Sequence, residues 1–194
     1  LYLLYKRSKN EFPRRIGNIP TPFICACEKG RMNDVEQFIN LHGFHAYINM
    51  NVAEGSMDVK AMVSQLGYDS RGYGLYTPLM VAAANEHTNI VEYLLQHDAD
   101  VSITDSQGMN ALHYAAGNKT NTNIIQLLLN KMSLNDINHK TNKYGETPLD
   151  NCYGYNFISI KQDIITLIRK HGGKANRYDK NGNNVGIGNG DLND

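Results

Sequence analysis

A surplus of one charge sign is missing from this chain. Its 19 Lys and Arg balance 19 Asp and Glu, for a formal net charge of +0 at pH 7. A balanced chain exerts no strong overall pull on nucleic acid or on an anionic membrane, so neither is expected as a partner. Cysteine is scarce as well. Three residues are too few for a disulfide framework, and the number is odd. Cys25, Cys27 and Cys152 fall in segments of helical pattern, where a free thiol packs as a small apolar group. This usage fits a reducing compartment and a cytoplasmic location. No apolar run reaches the roughly 18 residues that suggest a membrane span. The chain also has no Walker-type glycine loop, no G-x-S-x-G and no H-E-x-x-H. Gly186-Ile187-Gly188-Asn189-Gly190 is rich in glycine but follows no strand and precedes no helix. Nothing here supports catalysis, and no cofactor is expected.

What the chain does have is a recurring phrase. Thr77-Pro78-Leu79-Met80-Val81-Ala82-Ala83 is followed by Asn89-Ile90-Val91-Glu92-Tyr93-Leu94-Leu95 and His97-Asp98-Ala99-Asp100-Val101. Asn110-Ala111-Leu112-His113-Tyr114-Ala115-Ala116 repeats its opening 33 residues later, and Thr147-Pro148-Leu149-Asp150 follows after a further 37. Upstream, Thr21-Pro22-Phe23-Ile24-Cys25-Ala26-Cys27 begins the same way. Thr-Pro suits a helix start. The hydroxyl caps free N–H groups, and proline is tolerated where its missing N–H had no partner. The pair Ala82-Ala83 allows close approach of a neighbour. Ile90, Val91, Leu94 and Leu95 form an apolar face of helical period.

A period near 33 with this wording resembles the ankyrin repeat. The resemblance implies an all-α solenoid of stacked helix-turn-helix units joined by hairpin-like loops. It covers residues 17–176, with repeats at 17–50, 72–104, 105–141 and 142–176. Repeat three has Asn110-Ala111 where Thr-Pro is usual, and extra residues in 119–123, around 133–135 and at Thr141. In repeat four, Tyr153-Gly154-Tyr155-Asn156-Phe157 replaces the usual linker. Glu86 and Asp98 stand where the family usually has glycine, and both can adopt turn conformations at modest strain.

From Thr21 to Thr77 is 56 residues, 23 more than one period. The surplus is assigned to an enlarged loop at 41–71, with a short helix over 58–66 ending at Gly67. Such insertions map to loops on one face of a solenoid, often the binding face. Residues 1–16 are read as a basic or capping segment, in which Lys6, Arg7, Lys9, Arg14 and Arg15 follow an apolar start. That order is wrong for a secretory signal, and a solvated arm is preferred over an anionic-surface reader. Residues 177–194 are rich in Gly and Asn and are expected to form a flexible tail, or else to start a further hairpin.

Several patterns have plainer explanations than chemistry. Asp179-x-Asn181-x-Asn183 lacks the glycine and bidentate glutamate of a calcium loop. Cys25-x-Cys27 has the wrong spacing for zinc or redox work, and no further ligand joins His42 and His45. No metal is expected. His113 matches the family's first-helix histidine, whose role is to hydrogen-bond neighbouring loop backbone.

The resemblance further implies a non-enzymatic scaffold that binds another protein through a concave groove of hairpin tips and first-helix surfaces. Those positions are exposed and not needed for stacking. On this sequence the partner-binding set is Tyr73, Tyr76, Ser106, Gln107, Met109, Lys143, Tyr144 and Glu146 at the tips. Ala84, Asn85, Asn118 and Tyr155 represent the first helices, with Glu28, Lys29, Gly117 and Gly154 beside them. The tyrosines offer large contact area at small entropy cost, or else pack on adjacent loops. A monomer is expected, although exposed Tyr and Met leave room for weak self-association. The alternative is a targeting or substrate-recognition module of a larger protein, such as a multidomain enzyme or a pathogen effector working in the host cytosol.

Overall fold

The computed structural model describes residues 21–42, 48–49, 76–118, 121–153, 161–178, 183–184 and 186. The side chains of Thr21, Pro22, Cys25, Leu41, His42 and Asn118 are not part of that description. The expected helix at 58–66, the basic segment 1–16 and the linker 154–160 also lie outside it.

Among the described residues there are nine helices and no strand beyond one antiparallel bridge, Tyr178 to Asn184. Four pairs form the repeats: α1 (Thr21–Glu28) with α2 (Met32–His42), α3 (Pro78–Ala84) with α4 (Thr88–Gln96), α5 (Ala111–Asn118) with α6 (Thr122–Leu129), and α8 (Pro148–Tyr153) with α9 (Gln162–Lys170). Between α6 and α8 lies one further turn of helix, α7 (Leu134–Ile137). First helices stack on first helices, α1 on α3 on α5 on α8, and second helices form a parallel outer row, α4 on α6 on α9. The result is the expected all-α solenoid.

Capping sets where each helix begins. Thr77 accepts a bond from Met80 N at 3.2 Å, with Pro78 in the first turn. Asn110 does the same work in repeat three, its Oδ1 accepting from His113 N at 3.2 Å. That is why the chain tolerates Asn-Ala in place of Thr-Pro. Ser133 and Asp136 make a capping box around the extra residues of repeat three, and those residues fold as α7.

Helix ends share a second device. A left-handed residue follows α1, α3, α4 and α9, namely Gly30, Glu86, Asp98 and Gly172. In each case the next N–H reaches back to a carbonyl of the last turn, as from His87 N to Ala82 O at 3.1 Å and from Ala99 N to Leu94 O at 3.0 Å. Glu86 at φ 61° and Asp98 at φ 63° are the non-glycine residues held there.

The core is one continuous strip. Ile90, Val91 and Leu94 from α4, Ile124, Ile125 and Leu128 from α6, and Ile164, Ile165 and Ile168 from α9 are all buried. Ala82, Ala83, Ala115 and Ala116 let the first helices approach. In repeat four those stations hold Cys152 and Tyr153. A tyrosine there needs a cover, which comes from beyond the last repeat. Tyr178 stacks on Tyr153 with ring centroids 4.7 Å apart, and Arg169 Nη2 donates to the Tyr153 hydroxyl at 3.1 Å. Of the two expectations for 177–194, a flexible tail does not describe its first residues. Tyr178 is buried, and Arg177 pairs with Glu146.

Asn49 and Asn138 mark equivalent ends of repeats. Asn49 Oδ1 accepts from Asp100 N at 2.7 Å, and its Nδ2 lies 3.5 Å from Asp98 O. Asn138 makes the same pair with Lys174 N at 2.7 Å and Gly172 O at 3.0 Å. Repeat one thus closes at Ile48-Asn49, inside the segment assigned to the enlarged loop, and the surplus lies between Asn49 and Tyr76.

The left-handed conformation at Glu86 gives a direct prediction. An L-residue there costs about 1–2 kcal/mol, while glycine costs about 0.5–1 kcal/mol in chain entropy. Glu86→Gly should raise stability by about 0.5–1 kcal/mol by urea unfolding. Glu86→Ala keeps the Cβ and should gain nothing; equal gains from both would assign the effect to charge.

Candidate functional site

The hairpin tips and the first helices are fixed to each other by short polar contacts. Asp105 is buried, and its Oδ1 accepts from Gln107 N and Met109 N, both at 2.8 Å. Its other oxygen takes the Tyr114 hydroxyl. The Tyr76 ring stands edge-on to Tyr114 at 5.8 Å. Burial first, then the Asp105 carboxylate, pushes the Tyr114 hydroxyl well above its usual range, so it remains a donor. The next tip is bound to this one. Asn142 N donates to Gln107 O at 2.7 Å, and Asn142 Nδ2 to Ser106 O at 3.1 Å.

Beneath the tips, His113 Nε2 donates to Glu146 O at 3.2 Å, and Nδ1 accepts from Asn110 N at 3.1 Å. The first contact joins repeat three to the hairpin of repeat four. Burial holds His113 far below its usual range, at about 3, so the ring stays neutral. One repeat on, Asp150 occupies the same station. A carboxylate can only accept, so the bond from the backbone N–H three residues earlier is kept and the donated one is reversed. It takes bonds from Thr147 N at 2.8 Å, Asn176 N at 2.9 Å and Arg177 N at 2.9 Å.

The linkers between helices also reach back to the preceding repeat. His87 Nε2 donates to Glu28 O at 2.7 Å. Lys161 Nζ donates to Ala116 O and Gly117 O, both at 2.8 Å, at the carbonyl end of α5 where a cation is favoured. In repeat three, Asn121 Nδ2 donates to Thr88 Oγ1 at 3.0 Å.

The partner-binding set divides by exposure. Ser106 and Lys143 are exposed, and Tyr144 is 42% exposed with Lys143 Nζ 4.7 Å from its ring centre. Gln107 and Met109 are half-buried. Glu146 is half-buried and engaged by Arg177, and Tyr76 is half-buried against Tyr114. Ala84 and Asn85 are half-buried, Asn85 Nδ2 donating to Val81 O at 2.9 Å. Glu28 is half-buried, with Lys29 and Gly117 exposed. Tyr73, Gly154, Tyr155 and the Asn118 side chain lie outside the described residues. Two contributors were missed at the level of sequence. Tyr114 joins Asp105 to Tyr76, and Asp150 joins repeat four to the chain that follows it. Both sit inside the motif, at positions where only the three-dimensional partner reveals the role.

The sequence model of a known family, Ankyrin repeats (3 copies), matches residues 2–141 and 79–179. This chain belongs to the ankyrin-repeat family. Ankyrin repeats mediate protein–protein interaction and are typically non-catalytic. The relatives it resembles are diverse. The palmitoyltransferase AKR1 of Lachancea kluyveri is 44% identical over 52 residues, which is 27% of this chain and 7% of that protein. The phosphocholine transferase AnkX of Legionella pneumophila is 28% identical over 110 residues, which is 56% of this chain and 11% of that protein. The ankyrin repeat protein FPV031 of Fowlpox virus is 34% identical over 88 residues, which is 43% of this chain and 26% of that protein. The chain thus spans from 7% to 26% of the length of these curated relatives. Among the described residues of this ankyrin stack, no helix is long and apolar enough to cross a membrane. No group of three or more His, Cys, Asp and Glu among them could hold a metal ion.

The neutral buried His113 links stability to pH. Unfolding returns its ring to a value near 6.5, while the folded protein resists protonation down to about 3. Its contribution is complete above about 6.5 and is lost as pH falls through that window, by up to about 1.4 kcal/mol per pH unit. Urea midpoints measured from neutral pH downward should fall more steeply for the protein than for His113→Gln. Parallel slopes would remove the histidine from the account.

Proposed function

We propose that this ankyrin stack is a non-enzymatic scaffold that binds a segment of another protein along its hairpin tips and first-helix surface. The observation that carries the reading is the outward tip at Lys143-Tyr144. Its backbone neighbours are fastened to the tip of repeat three through Asn142, yet Tyr144 remains 42% exposed. A large aromatic side chain held on a rigid turn loses little entropy on binding. Ser106 and Gln107 continue the same edge one repeat earlier. Tyr76 contributes indirectly, since its ring supports Tyr114 and hence the Asp105 turn.

The second reading keeps the same surface within a larger protein, as a targeting or substrate-recognition module. Two relatives named as transferases support it, each much longer than this chain. A cytoplasmic setting follows from the same reading, or the host cytosol for an effector.

A photo-crosslinking residue placed at Ser106 or Tyr144 should capture one specific protein from lysate of the native cell. The same residue at Asp163, on the exposed side of α9, should not capture it. Tyr144→Ala should weaken the purified complex by about tenfold or more, the scale of an aromatic contact at a binding hot spot. Equal capture from both faces, or unchanged affinity, would move the binding surface elsewhere.

A further inference from the structure

One edge of the stack is formed by the turns that follow the outer helices. It carries side chains in a definite order. Repeat two presents Asp98 and Asp100, both exposed. Repeat three presents Leu134 at the start of α7, and repeat four presents Lys170 and Lys174 around Gly172. The stations correspond by their bonds. Asn110 Nδ2 donates to Asp136 O at 2.8 Å, as the Thr147 hydroxyl approaches Lys174 O at 2.8 Å. Leu134 therefore falls in line with Asp98 and Gly172. It also lies close to Gly172, where an added Cβ would come within 2.6 Å of Leu134 Cδ2.

Leu134 is 63% exposed, more than any other large apolar side chain among the described residues. It sits on a helix turn whose start is closed by the Ser133–Asp136 capping box. Around it the charges are sorted. From residue 76 to residue 118 the sequence contains no Lys or Arg, whereas Lys131, Lys170 and Lys174 follow on the other side of the leucine. Along this edge the charge thus runs from acidic in repeat two to basic in repeat four. Acid, leucine and base in that order become their own complement when a second edge is turned end for end. An apolar centre with a charged rim is also the usual anatomy of a protein interface.

We propose that this edge binds a second copy of the chain in antiparallel register. Leu134 packs near the two-fold axis, and the acids of repeat two face the lysines of repeat four in the other copy. The monomer expected from the sequence left room for weak self-association, and this proposal takes up that second reading. The contact is small, so association is weak and reversible. It leaves the hairpin tips of both copies open to a partner.

The test is sedimentation of the 194-residue protein over a concentration series, at roughly 50 mM and roughly 500 mM salt. The expected result is a monomer–dimer equilibrium that weakens at least about fivefold at the higher salt, as screened charges require. Leu134→Glu should abolish it, and an exposed site tolerates that change. Two charge reversals test the pairing of these acids with these lysines. Asp98→Lys with Asp100→Lys, and Lys170→Glu with Lys174→Glu, should each be monomeric alone and should form a mixed dimer together. Glu86 shows that a long side chain can be held at the φ of Asp98, and circular dichroism verifies folding of each variant. A monomer under every condition overturns the proposal. So does a dimer that survives Leu134→Glu, or a mixture of the two reversals that fails to associate.

Discussion

A pair of helices six to eleven residues long cannot hide its own apolar stripe. In this chain each pair buries it only against the next pair, and every other feature depends on that stacking. The alanines at 82, 83, 115 and 116 bring the first helices close enough to share one core. Close approach then creates a second demand, because helix ends and hairpin backbones at the joint need partners. The chain answers with single polar side chains that cross each boundary: His87 to Glu28 O, Asn121 to Thr88, Lys161 to the end of α5, and Asn49 and Asn138 to the following turns. These contacts are individually modest. Their importance is that they fix register, which apolar packing alone specifies loosely.

The same arrangement leaves the tips outside the stacked faces. The faces needed for stacking are consumed, and the hairpins are tied from behind by Asp105, His113 and Asp150. What remains outward is a row of side chains with a rigid backbone beneath. The change from His113 to Asp150 shows how far the chemistry of a joint can vary. A donor aimed at a carbonyl becomes an acceptor aimed at two N–H groups of the following chain, and the hairpin beyond it adjusts. The last repeat differs again. Tyr153 and Arg169 replace small and apolar side chains, and Tyr178 folds over them.

The stacked fold was legible because its signals are local and repeated: Thr-Pro at helix starts, paired alanines, and Ile or Leu at helical spacing. Even the strain at Glu86 and Asp98 could be read from missing glycines. Repeat three was harder. The residues at 133–135 looked like surplus, and only the Ser133–Asp136 box shows that they make a helix. The packed start of the tail was missed because Gly and Asn content masked one decisive residue, Tyr178, whose partner is 25 positions away in sequence. The surroundings of the individual tyrosines were the least legible. Tyr76 and Tyr144 are alike as letters, and a neighbour in another repeat decides that one ring packs while the other faces outward.

Native-state hydrogen exchange tests most directly the claim that stability resides in the joints between repeats. Amides of α4 and α6 have neighbours on both sides and should exchange only with global unfolding. Protection should decline toward α1 in one direction and α9 in the other. Equal protection across all four repeats, or the slowest exchange in a terminal one, would contradict a fold built from nearest-neighbour stacking.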